Sequence, residues 1–467
     1  MPSNPHRTSR FHAAEATLLT KGNPKAAIAK FALPIFLSQL FQQLYNTADA
    51  LIVGHYRGTD ALAAVGSTGS LVYLMISFFV GASMGAGVVI SRYFGAGDEE
   101  KVSRAVHTNV LISLISGAIL SVFGVILAPY LLHWMGNDLK QSVVYLRLYF
   151  GGAIATVMYN SLKGVLNAVG DSKRPLYYLI FSSLLNILLD WLLVGVMGYG
   201  VGAAAVATVV SQGASALLCL RQLCKKGNVY TLSLRKLRID RPLLREIFKY
   251  GIPTGVQNSV IGLANVLVQT NINSFKEDAM AACAAYSKIE GFAFLPIMSF
   301  SMALTTYIGQ NLGAREYARA REGARFGILT SVILAEIIGL VTFFGSGTLI
   351  GLFDKKPEVV AIGARQCHIE ALFYCLLAFS HCIAGICRGA GKAIVPMVIM
   401  LAVWCVFRII YITVAMRISH TIELLFWAYP ITWTISSVIY LIYYLKSDWI
   451  HGFEAPANRL ERLKAAR

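Results

Sequence analysis

The chain has 467 residues and a formal net charge of +17, yet only 14% of its residues are charged and 56% are hydrophobic. Soluble domains carry about 25% charged residues, whereas the mean hydropathy here is +0.60. This composition excludes an ordinary soluble protein. It also argues against a nucleic-acid partner, because the basic residues fall between apolar runs and do not gather on one folded face. The expected surroundings are a lipid bilayer.

The predicted elements are helices that span the membrane. Residues 1–27 lack the apolar core of a signal peptide and are expected to form a cytoplasmic tail. Apolar runs long enough to cross a bilayer then predict twelve spans, at 31–55, 62–91, 106–131, 142–169, 176–195, 200–221, 247–273, 281–309, 326–350, 362–387, 394–416 and 422–445. We expect an N-terminal six-helix lobe over 28–222, a basic linker over 223–246, a C-terminal six-helix lobe over 247–446 and a tail over 447–467.

The distribution of lysine and arginine predicts the orientation. The gaps after even-numbered spans are rich in these residues, and the gaps after odd-numbered spans hold few. Cytoplasmic loops carry an excess of basic residues. Both termini and the linker are therefore expected in the cytoplasm, with the protein in the cytoplasmic (inner) membrane.

An internal repeat relates the two halves. Marker residues of the first half recur in the second at offsets of 219, 218 and 221 residues, namely Pro34 and Pro253, Gly95 and Gly313, and Gly170 and Gly391. Six spans separate each pair, so both halves enter the membrane in the same sense. Parallel repeats of this kind enclose a solute path between them in secondary transporters. A receptor or a membrane enzyme has no comparable need for such a repeat.

Four oxygen-bearing side chains are predicted at a similar depth in the first half. At about 1.5 Å per residue, Asp49 lies roughly 27 Å from the inner end of its span and Asp190 roughly 21 Å from the inner end of its own. Asn186 is one helical turn before Asp190, and Thr208 falls in the same outer half. Such a set can bind Na⁺ or share protons, since close carboxylates cannot both stay ionised in a low dielectric. Separate structural roles for the two aspartates are the alternative.

Several motifs resemble those of the multidrug and toxic compound extrusion (MATE) transporters. Residues 43–54 read QLYNTADALIVG, residues 186–190 read NILLD and residues 207–212 read ATVVSQ. The first is similar to the first-helix signature of that family, and the others are similar to its fifth- and sixth-helix motifs. The resemblance extends over about residues 24–445.

The resemblance implies two lobes arranged as a V, with a central cavity open to one side at a time. It also implies export of amphipathic, often cationic drugs, driven by Na⁺ or H⁺ and without another cofactor; we expect a monomer. In the branch that resembles the DNA-damage-inducible type, ion coupling is assigned to positions that match Tyr45, Asp49, Asn160, Asn186, Asp190 and Thr208.

Other residues are candidates for the substrate cavity. Methionine side chains adapt to varied shapes, and the candidates of this kind are Met75, Met84, Met298 and Met302. Glu290, Glu370 and Arg408 are charged residues within the second-half spans. Glu370 and Arg408 could form a structural ion pair or contact the substrate.

Three other functions fit the sequence less well than drug export. A flippase for a lipid-linked precursor needs a cavity rich in cations to hold a diphosphate, whereas the first half offers two aspartates. An ATP-driven pump or a membrane hydrolase needs a phosphate-binding glycine loop or a catalytic motif such as HExxH, and the sequence contains neither. The prediction is a transporter that is not an enzyme.

Overall fold

The twelve-helix prediction is confirmed. The computed structural model describes residues 19–134, 140–275 and 277–453, with side chains except at 59–67, 70, 74 and 75. The secondary structure of these residues is helical, and they contain no β-strand. Long helices form where apolar runs allow each backbone group to hydrogen-bond within its own segment, as a bilayer requires.

The first half contains helices α1 to α6. The helical segment Pro24–Gly95 breaks at Gly58, whose φ of 78° and ψ of −175° are non-helical, and its two arms are α1 (24–57) and α2 (59–95). The remaining helices are α3 (Glu99–Trp134), α4 (Lys140–Gly151 and Ala153–Ala168, bent by 47°), α5 (Lys173–Asp190, continued by a π-helical turn at Trp191–Val196) and α6 (Gly202–Leu223).

The second half repeats this order with helices α7 to α12. They are α7 (Arg241–Ile272), α8 (Glu277–Gly313), α9 (Tyr317–Phe344, followed by the short helix Ser346–Gly351), α10 (Pro357–Glu370, a 3₁₀ turn at Ala371–Phe373, and Tyr374–Gly389), α11 (Ile394–Met400, a π-helical turn at Leu401–Phe407, and Arg408–Ile418) and α12 (Ile422–Lys446). A short 3₁₀ turn, Leu234–Lys236, lies in the connection between the halves.

The first helix of each half is more polar than the others. Nine helices, or ten with the bent α4, are long and apolar enough to cross a membrane on composition alone among the described residues. The two that fall short are α1 and α7. Their polar residues face the space between the halves, for example Gln42 and Asn46 on α1 and Gln257 and Asn258 on α7. The helices α1 and α7, which the internal repeat relates, are therefore both long enough to span a membrane and polar on the face toward the other half.

The two halves pack tightly against each other at one membrane face. This terminal face is the face at which α1 and α7 begin. There α2 crosses α8 so tightly that a Cβ atom at Gly95 would lie 2.0 Å from the Gln310 carbonyl oxygen, and one at Gly313 would lie 2.0 Å from the Arg92 carbonyl oxygen. The internal repeat relates these two contacts. Gln310 Nε2 also donates a hydrogen bond of 2.8 Å to the Ala168 carbonyl at the end of α4. These contacts close the terminal face.

Candidate functional site

A cavity of about 690 Å³ lies between the two halves. Its wall is formed by α1, α2, α4 and α6 of the first half and by α7, α8 and α10 of the second. Away from the terminal face its lining is exposed, as at Tyr73, which is 60% exposed. The cavity therefore opens toward the opposite membrane face. Its volume falls within the range of about 300–1,000 Å³ that small organic ligands occupy.

Two carboxyl groups meet at the first-half wall of this cavity. Asp49 on α1 lines the cavity, and Asp190 on α5 lies next to it and is 0% exposed. Asp49 Oδ1 and both carboxyl oxygens of Asp190 find no hydrogen-bond partner in the described protein apart from each other's carboxyl group. At Trp191 the helix widens into its π-helical turn directly after Asp190. Turns of this kind occur frequently at functional sites.

The other predicted coupling residues surround this pair. Asn186 is buried one turn before Asp190, and neither atom of its amide has a hydrogen-bond partner among the described residues. Tyr45, Asn160 and Thr208 line the cavity. Thr208 Oγ1 donates to the Ala204 carbonyl at 3.0 Å, and Asn160 Nδ2 donates to the Thr156 carbonyl at 2.9 Å, so the Asn160 amide oxygen and the Thr208 lone pairs remain as acceptors.

Three polar neighbours of this site were not among the predicted residues. Gln212 Nε2 donates to Tyr45 Oη at 3.1 Å. Tyr145 and Tyr149 line the cavity near Asp49, with their rings stacked at 6.2 Å. The four-residue spacing of Gln212 from Thr208, and of the two tyrosines from each other, places each pair on one helix face. This spacing is the feature of the sequence from which these three residues could have been predicted.

The unpaired oxygens define what this cluster can bind. A buried polar group without a partner costs about 1–3 kcal/mol, and a shared proton or a cation would satisfy several of these groups at once. The carboxyl, amide and hydroxyl oxygens of Asp49, Asp190, Asn186 and Thr208 are the hard donors that suit a small cation. No cluster of three or more His, Cys, Asp or Glu side chains suited to a metal ion occurs in the described part of the chain.

Three of the predicted methionines line the cavity, namely Met84, Met298 and Met302. Gln39 Nε2 bridges the halves beside them through a 3.0 Å hydrogen bond to Ser299 Oγ. The side chain of Met75 lies outside the described residues. The apolar lining therefore comes from both halves.

Comparison with protein families identifies the chain. The family model described as MatE matches residues 34–192 and 253–414, which is more than two thirds of the chain. The chain belongs to the MatE family. Members of this family are transporters, so the chain is a multi-pass membrane transporter and not an enzyme, as its sequence predicts.

Relatives and solved structures agree with this MatE assignment. The chain is 28% identical over 450 residues to the "Probable multidrug resistance protein YoeA" of Bacillus subtilis, covering 92% of this chain and 96% of that protein. It is 26% identical to the "Probable multidrug resistance protein NorM" of Thermotoga maritima, covering 81% and 82%. Its fold is similar to that of a MOP-superfamily transporter from Pyrococcus furiosus, with a TM-score of 0.87, 21% identity and coverage of 94% and 98%. The two-lobe fold is thus confirmed. The DNA-damage-inducible-type branch stays a prediction.

The three charged residues that the sequence suggested for the substrate cavity lie away from it in this MatE protein. Glu290, Glu370 and Arg408 are absent from its described lining. Glu370 and Arg408 are buried among the second-half helices, and Glu290 is half-buried.

Glu370 and Arg408 also have separate partners, so the direct ion pair suggested by their depth does not form among the described residues. Glu370 accepts hydrogen bonds from Tyr286 Oη at 3.1 Å and from Gln366 Nε2 at 2.9 Å. Arg408 donates to Thr432 Oγ1 at 2.9 Å, and its guanidinium lies 4.5 Å from the ring centre of Tyr429. Glu290 and Glu370 both attract Arg408 electrostatically. Arg408 is held in the second half by Thr432 and the Tyr429 ring, and the two carboxyls act on its charge from a greater distance.

Proposed function

We propose that this MatE-family transporter is a secondary active multidrug antiporter. It exports amphipathic, often cationic organic compounds in exchange for Na⁺ or H⁺ by alternating access. The observation that carries the proposal is the pair of facing carboxyls, Asp49 and Asp190, at the wall of the cavity. The names of the relatives in Bacillus subtilis and Thermotoga maritima, both multidrug resistance proteins, support the substrate class.

Ion binding is coupled to the cavity because Asp49 belongs to both. Asp49 is on α1 and Asp190 is on α5, so a proton or cation held between them draws these two helices together. Two ionised carboxyls without a counter-ion repel each other and separate the helices. Asp49 also lines the cavity, so the ion changes the shape and charge of the drug site. A bound ion therefore weakens drug binding in the cavity, and a bound drug weakens ion binding. Exchange of one for the other requires this competition.

Exchange also requires two conformations with different ion affinities, because a ligand shifts an equilibrium only through differential binding. One of them has the geometry described above, closed at the terminal face. In the other, the contacts of Gly95 with Gln310 and of Gly313 with Arg92 separate, and the cavity opens to the terminal face. We place this face in the cytoplasm, because the connections on that side carry most of the basic residues.

The test is export of ethidium from proteoliposomes under an imposed Na⁺ gradient or an imposed H⁺ gradient, each applied alone. The parent protein exports the dye under at least one of them. Asp49→Asn and Asp190→Asn keep the shape of each side chain but cannot carry the charge that binds the ion. We expect both variants to lose gradient-driven export while they reconstitute normally.

Glu336→Gln is the matched control, since it removes a half-buried membrane carboxyl on α9 that does not line the described cavity. It should export at the parental rate. Parental export by a correctly reconstituted Asp49→Asn protein would remove Asp49 from the coupling mechanism. Failure of the parent to respond to either gradient would reject ion exchange altogether.

A further inference from the structure

Two cations line the end of the cavity that lies near the terminal face. Lys163 projects from α4 and Arg388 from α10. Lys163 Nζ lies 5.5 Å from the ring centre of Tyr159, and Arg388 donates to Ser301 Oγ at 3.0 Å. Neither cation has an acidic partner within the described part of the chain.

Arg388 is buried with unused hydrogen-bonding capacity. Its side chain is 4% exposed, and its Nε has no hydrogen-bond partner among the described residues. A guanidinium has five N–H donors in a fixed planar arrangement. Buried charges in membrane proteins are normally paired, and an unpaired one facing a cavity marks a substrate or ion pathway. Arg388 therefore lines the cavity with a buried charge that no acidic side chain of the described chain balances.

The charges of the cavity are separated along the membrane normal. At about 1.5 Å per residue, Asp190 lies roughly 26 Å from the terminal-face end of α5, and Lys163 lies roughly 8 Å from the corresponding end of α4. Asp49, beside Asp190, is the one acidic residue in the described lining. The lining beside the two cations, such as Asn167 and Thr305, is neutral and polar. One end of the cavity is thus acidic, and the other end is cationic.

We propose that Lys163 and Arg388 form an oxyanion subsite that binds a carboxylate or phosphate group of an amphipathic substrate. An arginine can hold such a group with two parallel hydrogen bonds, while a lysine adds a point charge. The apolar body of the substrate then lies against Met298 and Met302, which line the same cavity. This inference rests on the proposed drug-export function and extends its substrates from cations to zwitterions and anions.

The experiment compares two dyes that differ at one group. Tetramethylrhodamine free acid is a zwitterion, and its methyl ester has the same ring system without the carboxylate. Binding of each dye to the purified protein in lipid nanodiscs is measured by fluorescence polarisation without any ion gradient. We expect the parent to bind the free acid about tenfold more tightly, as one charge-assisted contact allows.

The variants remove one cation each. Lys163→Gln and Arg388→Gln should each abolish most of the preference for the free acid, while affinity for the methyl ester stays within about twofold, because the ester lacks the charged acceptor. Arg388→Lys should keep part of the preference. Arg147→Gln is the control, since Arg147 is an exposed cation on α4 that does not line the described cavity. It should bind both dyes like the parent.

Equal binding of the two dyes by the parent, or an unchanged preference in both glutamine variants, would overturn the subsite. Lys163 is only half-buried, so its variant gives an answer even where Arg388→Gln does not yield a monodisperse protein. The assay needs no gradient, so it is independent of coupling. A parent that binds both dyes equally but shows Asp49-dependent export would reject this inference alone. A parent that prefers the free acid but shows no gradient-driven export would reject only the proposed exchange.

Discussion

Replacing Gly313 with alanine tests whether the crossing of α2 and α8 holds the terminal face closed. The added Cβ would lie 2.0 Å from the Arg92 carbonyl oxygen, whereas ordinary contact begins at 3.4 Å. The three nearest obstructing atoms all belong to the Arg92 backbone on α2, which cannot move aside as a side chain can. The two helices must therefore separate by more than an ångström to admit one methyl group.

The expected effect is a shift of the conformational equilibrium. Overpacking of this kind costs about 1–3 kcal/mol, and here the cost falls only on the closed conformation. The ratio of closed to open molecules should therefore drop about 5- to 160-fold for that range. Alanine also favours a helix over glycine by up to about 1 kcal/mol. That gain is the same in both conformations and leaves the ratio unchanged.

Distances between spin labels at Glu99 and Arg321 report this shift. Both residues are exposed near the starts of α3 and α9, on opposite halves of the terminal face. We expect the distance distribution of Gly313→Ala in nanodiscs to move to longer values. Gly291→Ala is the matched control on the same helix, because a Cβ there meets no atom within 4 Å. A Gly313→Ala distribution identical to that of the parent would refute the closing role of the crossing.

Three further outcomes are expected. Thr208→Ala should slow ion-driven dye export without abolishing it, because it removes one neutral oxygen and leaves both aspartates; complete loss in a well-folded variant would contradict this. Arg408→Gln removes the guanidinium that donates to Thr432 Oγ1 and packs on the Tyr429 ring, so unfolding in detergent, followed by tryptophan fluorescence, should show a loss of about 1–3 kcal/mol; parental stability would contradict the structural role. A cysteine at the exposed Arg235, in a background without native cysteines, should resist an impermeant thiol reagent in intact cells. Rapid labelling at this site would show that the connection between the halves lies outside the cell and that the predicted orientation is wrong.

Much of the candidate site could be predicted because it depends on local spacing. Asp49 and Asp190 are ionisable residues inside apolar runs, and helical rise alone puts them at a similar depth. Depth does not give the direction in which a side chain points around the helix axis. For this reason Glu370 and Arg408, also at matched depths, were predicted as a pair or as cavity residues, whereas they bind Tyr286 and Thr432 separately.

The sequence by itself determined the membrane class, the twelve helices, the two-fold internal repeat and the two central carboxyls, because length, hydropathy and residue spacing act along one chain segment at a time. Only the tertiary structure decided which polar faces meet. The close approach of Gly313 to the Arg92 carbonyl involves residues of different halves, and Lys163 and Arg388, also from different halves, line one cavity. Such contacts depend on how distant helices cross and rotate, and packing of the whole molecule sets those angles.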